Sequence, residues 1–486
     1  MATATERTPE RAGGLYQNPV VRYFQLDRHN VTVGGEILAG LTTFLVMVYI
    51  AFVNPLILTS VADPTGFRLD FGRVLTATCW AASLLCILMG VYARRPFAMA
   101  PGMGLNAVVT FQLVATRGLT WSQAMGIIVA EGIIITLLVL TRFRQAIMDA
   151  VPVALKHAIA AGIGLFILYI GLVNGGIVAG NPDYEPGGTN PPVALGNFAA
   201  ITVLVTVFGI LLTAWLYLRR NRAAILLGIL GATAFAVVLN YLSIALGYGP
   251  IYPPQTGWAV IPTQPVQVPA PPYLFFDFTA FTTNPITATL DTFSIMLSDF
   301  FDTMGTLVGV GLLAGFLTKE GRLPEVEKPL LVDSVGPIVG GTLGASSATT
   351  YIESGAGVSA GGRTGIVAVT VGVLFLLVPF LTPIIAIVPP QATAAALIMV
   401  GFFMLQSLKE VDWANFREAF PVLITMIAMP LTYSITNGIG FGFILFTLMM
   451  VFVGQARRVH WLMYVSSVAF LIYFLNAAIS GWLGIG

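Results

Sequence analysis

Long apolar runs follow one another along the chain, separated by short polar stretches, and the pattern predicts helices that cross a bilayer. A spanning helix needs about 20 mostly apolar residues. The runs fall at 36–58, 74–92, 99–114, 122–140, 153–173, 197–217, 223–246, 288–316, 333–345, 352–361, 366–387, 392–408, 416–432 and 438–454, fourteen in all. A further run at 461–483 reads equally well as a fifteenth span or an interfacial helix. Seven runs precede a Pro-rich segment at 247–285 and seven follow it. Seven is odd, so the second set would be inverted relative to the first, a plan common among secondary transporters.

One stretch breaks the pattern. Residues 341–365, GTLGASSATTYIESGAGVSAGGRTG, lie among apolar runs without being apolar. Ser346 to Tyr351 are largely hydroxyl-bearing and β-forming, and Glu353, Gly355, Gly357, Gly361 and Gly362 follow. Lipid cannot satisfy unpaired backbone groups, so irregular backbone at membrane depth must line a cavity or be buried in protein. The sequence predicts an extended piece over 347–351 and a half-helix from about Ile352, with Glu353 in its first turn. A Gly-rich loop outside the membrane is the plainer alternative, but the flanking runs leave it little room. An inverted plan requires a matching break in the third run of the first half. There, Pro96 and Pro101 bracket a short apolar piece ahead of Gly102, Gly104 and Asn106. Pro101 suits a first helical turn. Two helix starts would then face one space, each offering unpaired N–H groups and about half a positive charge.

Composition agrees with this reading. The 486 residues are 57% hydrophobic and 9% charged, against roughly 25% charged in a soluble domain. A net charge of +1 points to no nucleic acid, and three His with two Cys make a metal cluster or disulfide framework an unsuitable reading. Cys79 and Cys86, on one predicted helix, sit about 10 Å apart along its axis, too far to bridge. The first 30 residues lack the apolar core of a signal peptide. With the N-terminus inside, 20 of the 23 Lys and Arg fall on the inner side, leaving Arg68, Arg73 and Arg117 outside. Cytoplasmic loops carry such an excess. The expected organisation is a cytoplasmic tail (1–30), a first seven-span repeat (31–246), an extracellular loop (247–285), a second repeat (286–455) and a C-terminal apolar segment (456–486). The expected location is the cell's inner (plasma) membrane.

Acids in the eighth run supply candidate chemistry. Asp299 and Asp302 are three residues apart and share a helix face, and no Lys or Arg in the run can pair with them. A carboxylate near the bilayer centre costs several kcal/mol unless it is protonated or satisfied. With Glu353 on the same cavity, three carboxyls could share protons, a physical basis for proton coupling. A cap or helix–helix hydrogen bond also accounts for Asp302. Glu131 reads as a structural hydrogen-bonding acid, Asp291 as lying near the outer boundary, and His157 as interfacial. Asn54 and Asn106 fit either a place beside the site or plain interhelical hydrogen bonds.

Three motifs then carry a resemblance: GLTTFLVMVYIAFVNP (40–55), APGMGLNA (100–107), and the pair DFFDTMGTLVG (299–309) with SSATTYIESGAG (346–357). Together they resemble the AzgA-like purine permeases of the nucleobase–cation symporter (nucleobase/ascorbate transporter) superfamily, over about residues 20 to 455. The resemblance implies an all-α polytopic membrane fold of fourteen spans in two inverted repeats. Spans 1–4 and 8–11 would form a core, and 5–7 and 12–14 a gate. Spans 3 and 10 would each begin with a short β-strand. It also implies proton-coupled uptake of hypoxanthine, guanine or adenine, with a possible homodimer through the gate. On the matching positions, Asp299 is the acid of span 8, Asp302 this branch's second acid and Glu353 the substrate-binding glutamate. Tyr351 and Ile352 lie at the strand end facing the base, and Ala100 to Met103 are their span-3 counterpart. The common fourteen-span plan has no place for 461–483.

The leading expectation is therefore a proton-coupled importer of purine bases, without cofactor. Asp299 and Glu353 would accept hydrogen bonds from the base, and one of Phe300, Phe301 and Tyr351 would supply a stacking ring. An exchanger of sulfate, bicarbonate or dicarboxylate would share the fold, but three acids oppose an anion. Paired breaks disfavour a channel. An enzyme would need a nucleophile–base pair or nucleotide loop, and the sequence shows none.

Overall fold

The computed structural model describes residues 19–141, 150–185, 191–221, 223–252, 258–262, 266–316 and 325–483. Its first half runs α1 (Val33–Met47), α2 (Ile50–Leu58), α3 (Phe71–Leu88), β1 (Met99–Pro101), α4 (Met103–Ala107), α5 (Trp121–Leu140), α6 (Val153–Asn174), β2 (Val178–Gly180), β3 (Val193–Leu195), α7 (Ile201–Leu218) and α8 (Ala224–Ala245). The second half runs α9 (Pro285–Leu313), α10 (Glu327–Leu343), β4 (Ala348–Thr350), α11 (Ser354–Ser359), α12 (Gly365–Leu377), α13 (Pro390–Met404), α14 (Phe416–Leu431), α15 (Ile435–Phe452) and α16 (Trp461–Leu483). Among the described residues, nine helical stretches are long and apolar enough to cross a membrane. The chain is a polytopic, mostly helical membrane protein.

Several helix starts are set locally by side chains that take up unpaired N–H groups. The Thr32 side chain accepts from Gly35 N, Asp70 from Arg73 N and Ser434 from Asn437 N. Thr120 and Gln123 form a reciprocal capping box at α5.

The helices gather into two groups. α1, α3, α5, α9, α10 and α12 pack on one another around the two broken segments. α6, α7, α8, α13, α14 and α15 form a second bundle, with α6 against α13 and α14. These are the core and gate implied by the resemblance. Described parts of 247–285 tie into both: Asp277 N donates to Ser122 O of the core, and Asn240 Nδ2 of α8 in the gate donates to Ala259 O.

Both expected breaks exist, and they meet. β1 and β4 pair antiparallel, with Met99 opposite Thr350, Ala100 opposite Thr349 and Pro101 opposite Ala348. The extended piece is shorter than 347–351, and Glu353 is the N-cap of α11 rather than a residue of its first turn. Helix α10 supports β4 from behind at very short range. A Cβ on Gly336 would come within 2.0 Å of Ala348 O, and one on Gly340 within 2.0 Å of Ser346 O. Only glycine allows that approach.

The pair β2–β3 was not expected from sequence. The run at 461–483 forms one helix, α16, antiparallel to α15. Ser467 bonds Thr447 and Phe443 O, Phe470 meets Gly440, and Tyr473 bonds Asn437. Residues 1–18 and most of the 319–328 loop lie outside the described residues.

Candidate functional site

The two breaks are joined by a set of buried polar contacts. Gly102 N donates to Ser347 O and Tyr351 N to Ala98 O, extending the strand pair at both ends. The Tyr351 hydroxyl donates to Pro101 O. Ser354 Oγ accepts from Ala98 N and donates to Tyr351 O. Asp333 of α10 fastens the back of β4. One of its oxygens accepts from Thr350 N (3.0 Å) and Thr350 Oγ1 (2.8 Å), and the other from Thr303 Oγ1 of α9 (2.7 Å). A buried carboxylate is tolerated where donors satisfy it in this way. Sequence reading missed Asp333; its only signal was an acid at the edge of an apolar run.

In front of the strands lies a cavity of about 90 Å³, lined by Tyr49, Met103, Ser298, Asp302, Tyr351 and Glu353 among others. Ile163, Ile167, Val400 and Met404 of the gate close it from the other side. A second cavity of about 580 Å³ lies beyond, lined by Tyr217, Arg220, Asn221 and Phe403. Ile352 and Glu353 line both, so the tip of the second break stands between them. The smaller space is below the 300–1,000 Å³ typical of small-molecule sites, and the two together reach that size. Among the described residues, no Lys or Arg lines the smaller cavity.

Glu353 is held by a contact that sequence reading did not find. Tyr49, fully buried at the α1–α2 junction, donates its hydroxyl to Glu353 Oε1 at 2.6 Å. The signal was a lone phenol within an apolar run. Neither α4 nor α11 has a side-chain cap on its first turn. The N–H groups at Met103 and Gly104, both on the cavity wall, are thus among the unpaired donors of a helix start.

Of the expected residues, Asp302, Glu353, Tyr351, Ile352 and Met103 line this cavity. Ala100 does not; it is buried in β1, and its backbone holds the register with Thr349. Asp299 does not line it either, which corrects the expectation of three acids on one wall. Ser298, Asp302 and Thr306 recur at four-residue spacing and turn one stripe of α9 to the cavity. Asp299 is rotated about 100° from Ser298, is fully buried, and interacts electrostatically with Glu131. Glu131, read from sequence as structural, is likewise fully buried, on α5, which packs against α9 and α10.

Phe300 packs with Ile135 and Met296 away from the cavity, and among the described side chains Tyr351 and Tyr49 are the rings on its wall. The side chain of Phe301 lies outside the described ones. Asn54 makes interhelical hydrogen bonds, to Thr78 Oγ1 (2.7 Å) and Ala345 O (3.1 Å).

Comparison with known proteins places this architecture. The chain is 40% identical to the guanine/hypoxanthine permease PbuG of Bacillus subtilis, over 93% of this chain and 99% of that one. It is 38% identical to the adenine permease AdeQ of Escherichia coli, over 93% and 95%. The transmembrane domain of a cyanobacterial bicarbonate transporter, BicA, shares the fold at a TM-score of 0.59 and 13% identity, over 83% of this chain and 97% of that one. The sequence profile of the xanthine–uracil permease family, described as "Permease family", matches residues 34–441. With its paired broken helices, core and gate, the chain belongs to the xanthine–uracil permease family.

Proposed function

We propose that this protein is a proton-coupled secondary transporter that imports purine bases such as hypoxanthine, guanine or adenine, without altering them chemically. The observation that carries the site is the meeting of Glu353 and Asp302 in one cavity with the two interrupted segments. The names of the guanine/hypoxanthine and adenine permeases among its relatives support the substrate class.

A purine base carries ring N–H groups, ring nitrogens and exocyclic oxygen or NH₂. Glu353, oriented by Tyr49, accepts from an N–H or NH₂ edge. The backbone amides at Met103 and Gly104 donate to a ring nitrogen or carbonyl. Tyr351 and Ile352 border the ring, and Ala100 positions the opposite strand. Asp302 and Glu353 exchange the coupling proton, with Asp299 in the layer behind. A carboxyl that gains a proton from outside loses its net charge, which lowers the cost of carrying the loaded site past the gate. The N-terminus lies in the cytoplasm and the protein in the inner (plasma) membrane, as the Lys/Arg distribution supports. The resemblance also supports a homodimer through the gate, which native mass measurement in detergent would test.

Uptake of labelled hypoxanthine should be competed by purine bases and not by nucleosides or sulfate. It should be lost when the proton gradient is collapsed with the sodium gradient held. Uptake that survives that collapse overturns proton coupling, and competition by sulfate alone overturns the substrate class.

A further inference from the structure

A second buried polar constellation lies away from the substrate cavity. From Asp302, lining the cavity, back to Asp291 is eleven residues of α9, about 16 Å of helix. From Met103 to Gln112 is nine residues along the third span, in the same direction. There Gln112 Nε2 donates to Asp291 Oδ1 (2.8 Å) and to Thr436 Oγ1 (2.6 Å). Gln112 Oε1 accepts from Ile435 N (2.9 Å), and Thr436 Oγ1 approaches Asp291 Oδ1 at 3.1 Å. Arg117 Nε pairs with Asp291 Oδ2 at 3.3 Å. Gln112 and Asp291 are fully buried or nearly so.

These residues belong to different bodies. Gln112, Arg117 and Asp291 sit on the core, while Ile435 and Thr436 begin α15 of the gate. Beside them, the Phe111 ring of the core meets the Tyr433 ring of the gate edge-on, and Tyr433 also touches Phe166 and Tyr169. The core and gate are thus joined on this side of the cavity. On the opposite side, the larger cavity separates Ile352 and Glu353 from Tyr217 and Phe403 of the gate.

Helix α16 touches the same constellation. The Tyr473 ring lies 5.0 Å below the Arg117 guanidinium, a cation–π contact. Its hydroxyl donates to Asn437 Oδ1 at 3.3 Å. Phe470 of α16 reaches both Phe443 of the gate and Phe293 of the core.

We propose that Gln112, Asp291 and Thr436 form the gate closing the transport path on the side of the 247–285 segment, and that α16 helps to hold it shut through Arg117. Opening this side requires core and gate to part. The Gln112–Thr436, Gln112–Ile435 and Thr436–Asp291 hydrogen bonds then break together. Asp291 keeps Arg117 in both states, because both are on the core. The charge therefore stays paired while the hydrogen bonds that cross to α15 are exchanged.

The test is accessibility of the cavity from outside. Ile167→Cys places a thiol on the gate wall of the substrate cavity; the native Cys79 and Cys86 are fully buried, and the parent supplies the background. Intact cells are labelled with a membrane-impermeant maleimide. Thr436→Val removes the hydroxyl at nearly constant volume, and Gln112→Ala removes the bridging amide. Each should raise the labelling rate about 5- to 10-fold, since one net hydrogen bond corresponds to roughly 5-fold in the open population. Tyr473→Ala should raise it about 2-fold. Purified variants are melted in parallel, so that only those with the parent's melting temperature are compared. An unchanged rate in both Thr436→Val and Gln112→Ala overturns the gate, and an unchanged rate in Tyr473→Ala overturns the part given to α16. The labelling needs no substrate, so its result is independent of the purine-base reading.

Discussion

Replacing Tyr49 by Phe probes the substrate site with little else disturbed. The change removes one oxygen and keeps the ring, so it opens no cavity, and volume-conserving core changes cost less than about 1.5 kcal/mol. What is lost is the 2.6 Å hydrogen bond to Glu353 Oε1. Glu353 stands at the tip of the second break, between two cavities. Without the phenol its carboxyl is free to turn toward the larger one. A hydrogen bond to a charged group contributes about 1.5–3 kcal/mol, and one between neutral groups about 1 kcal/mol. If the base needs Glu353 in its observed orientation, affinity falls by roughly 5-fold with the acid neutral and 10-fold or more with it charged. Equilibrium binding of labelled hypoxanthine to purified protein measures this directly, and thermal melting shows whether the fold is intact. Affinity within 2-fold of the parent, with normal melting, would refute the idea that Tyr49 orients Glu353 for the base. Absence of binding in the parent itself would instead count against the substrate assignment.

Four further outcomes follow from the geometry. Glu353→Gln and Asp302→Asn should each abolish measurable binding or uptake while the protein still reaches the membrane. Asp299→Asn, off the cavity wall, should abolish proton-driven uptake but retain equilibrium binding; loss of binding in Asp299→Asn alone would place that acid on the base after all. Gly336→Ala brings a Cβ within 2.0 Å of Ala348 O, and since overpacking costs about 1–3 kcal/mol or more, it should lower the melting temperature and uptake together; a normal protein would show that β4 can retreat. In the loop after α2, burial alone would raise the Asp63 carboxyl, but hydrogen bonds from Thr65 Oγ1, Trp121 N, Thr65 N and Phe67 N hold it below its usual value. A lowered acid stabilises the folded state above its unfolded value of about 3.9, and the benefit disappears as pH falls through the folded value. Asp63→Asn should therefore melt below the parent at pH 7, and the gap should narrow in acid; a gap independent of pH would contradict this.

What was legible in the sequence was whatever the chain dictates locally. Lipid gives a backbone no hydrogen bonds, so the long apolar runs had to be helices, and the polar stretch at 346–357 had to be a break lined by protein. The inverted plan carried that break over to 96–106. The carboxyls at 299 and 302 stood out because no cation in their run could pair with them, and Glu353 because it lay in the break. Only packing decided the rest. The i, i+3 relation of Asp299 and Asp302 left the orientation of α9 open, and packing turns Asp302 to the cavity and buries Asp299 away from its wall. Tyr49 and Glu353 are 304 positions apart, and Asp333 looked like a boundary acid until β4 lay across it. Whether α16 spanned or lay at the interface was undecidable from hydropathy, which reports burial in lipid and not which neighbour a helix chooses; its antiparallel seat on α15 comes from side-chain contacts such as Ser467 with Thr447. Local solvation is written residue by residue, whereas helix rotation and the meeting of distant segments are set by the sum of contacts across the whole fold.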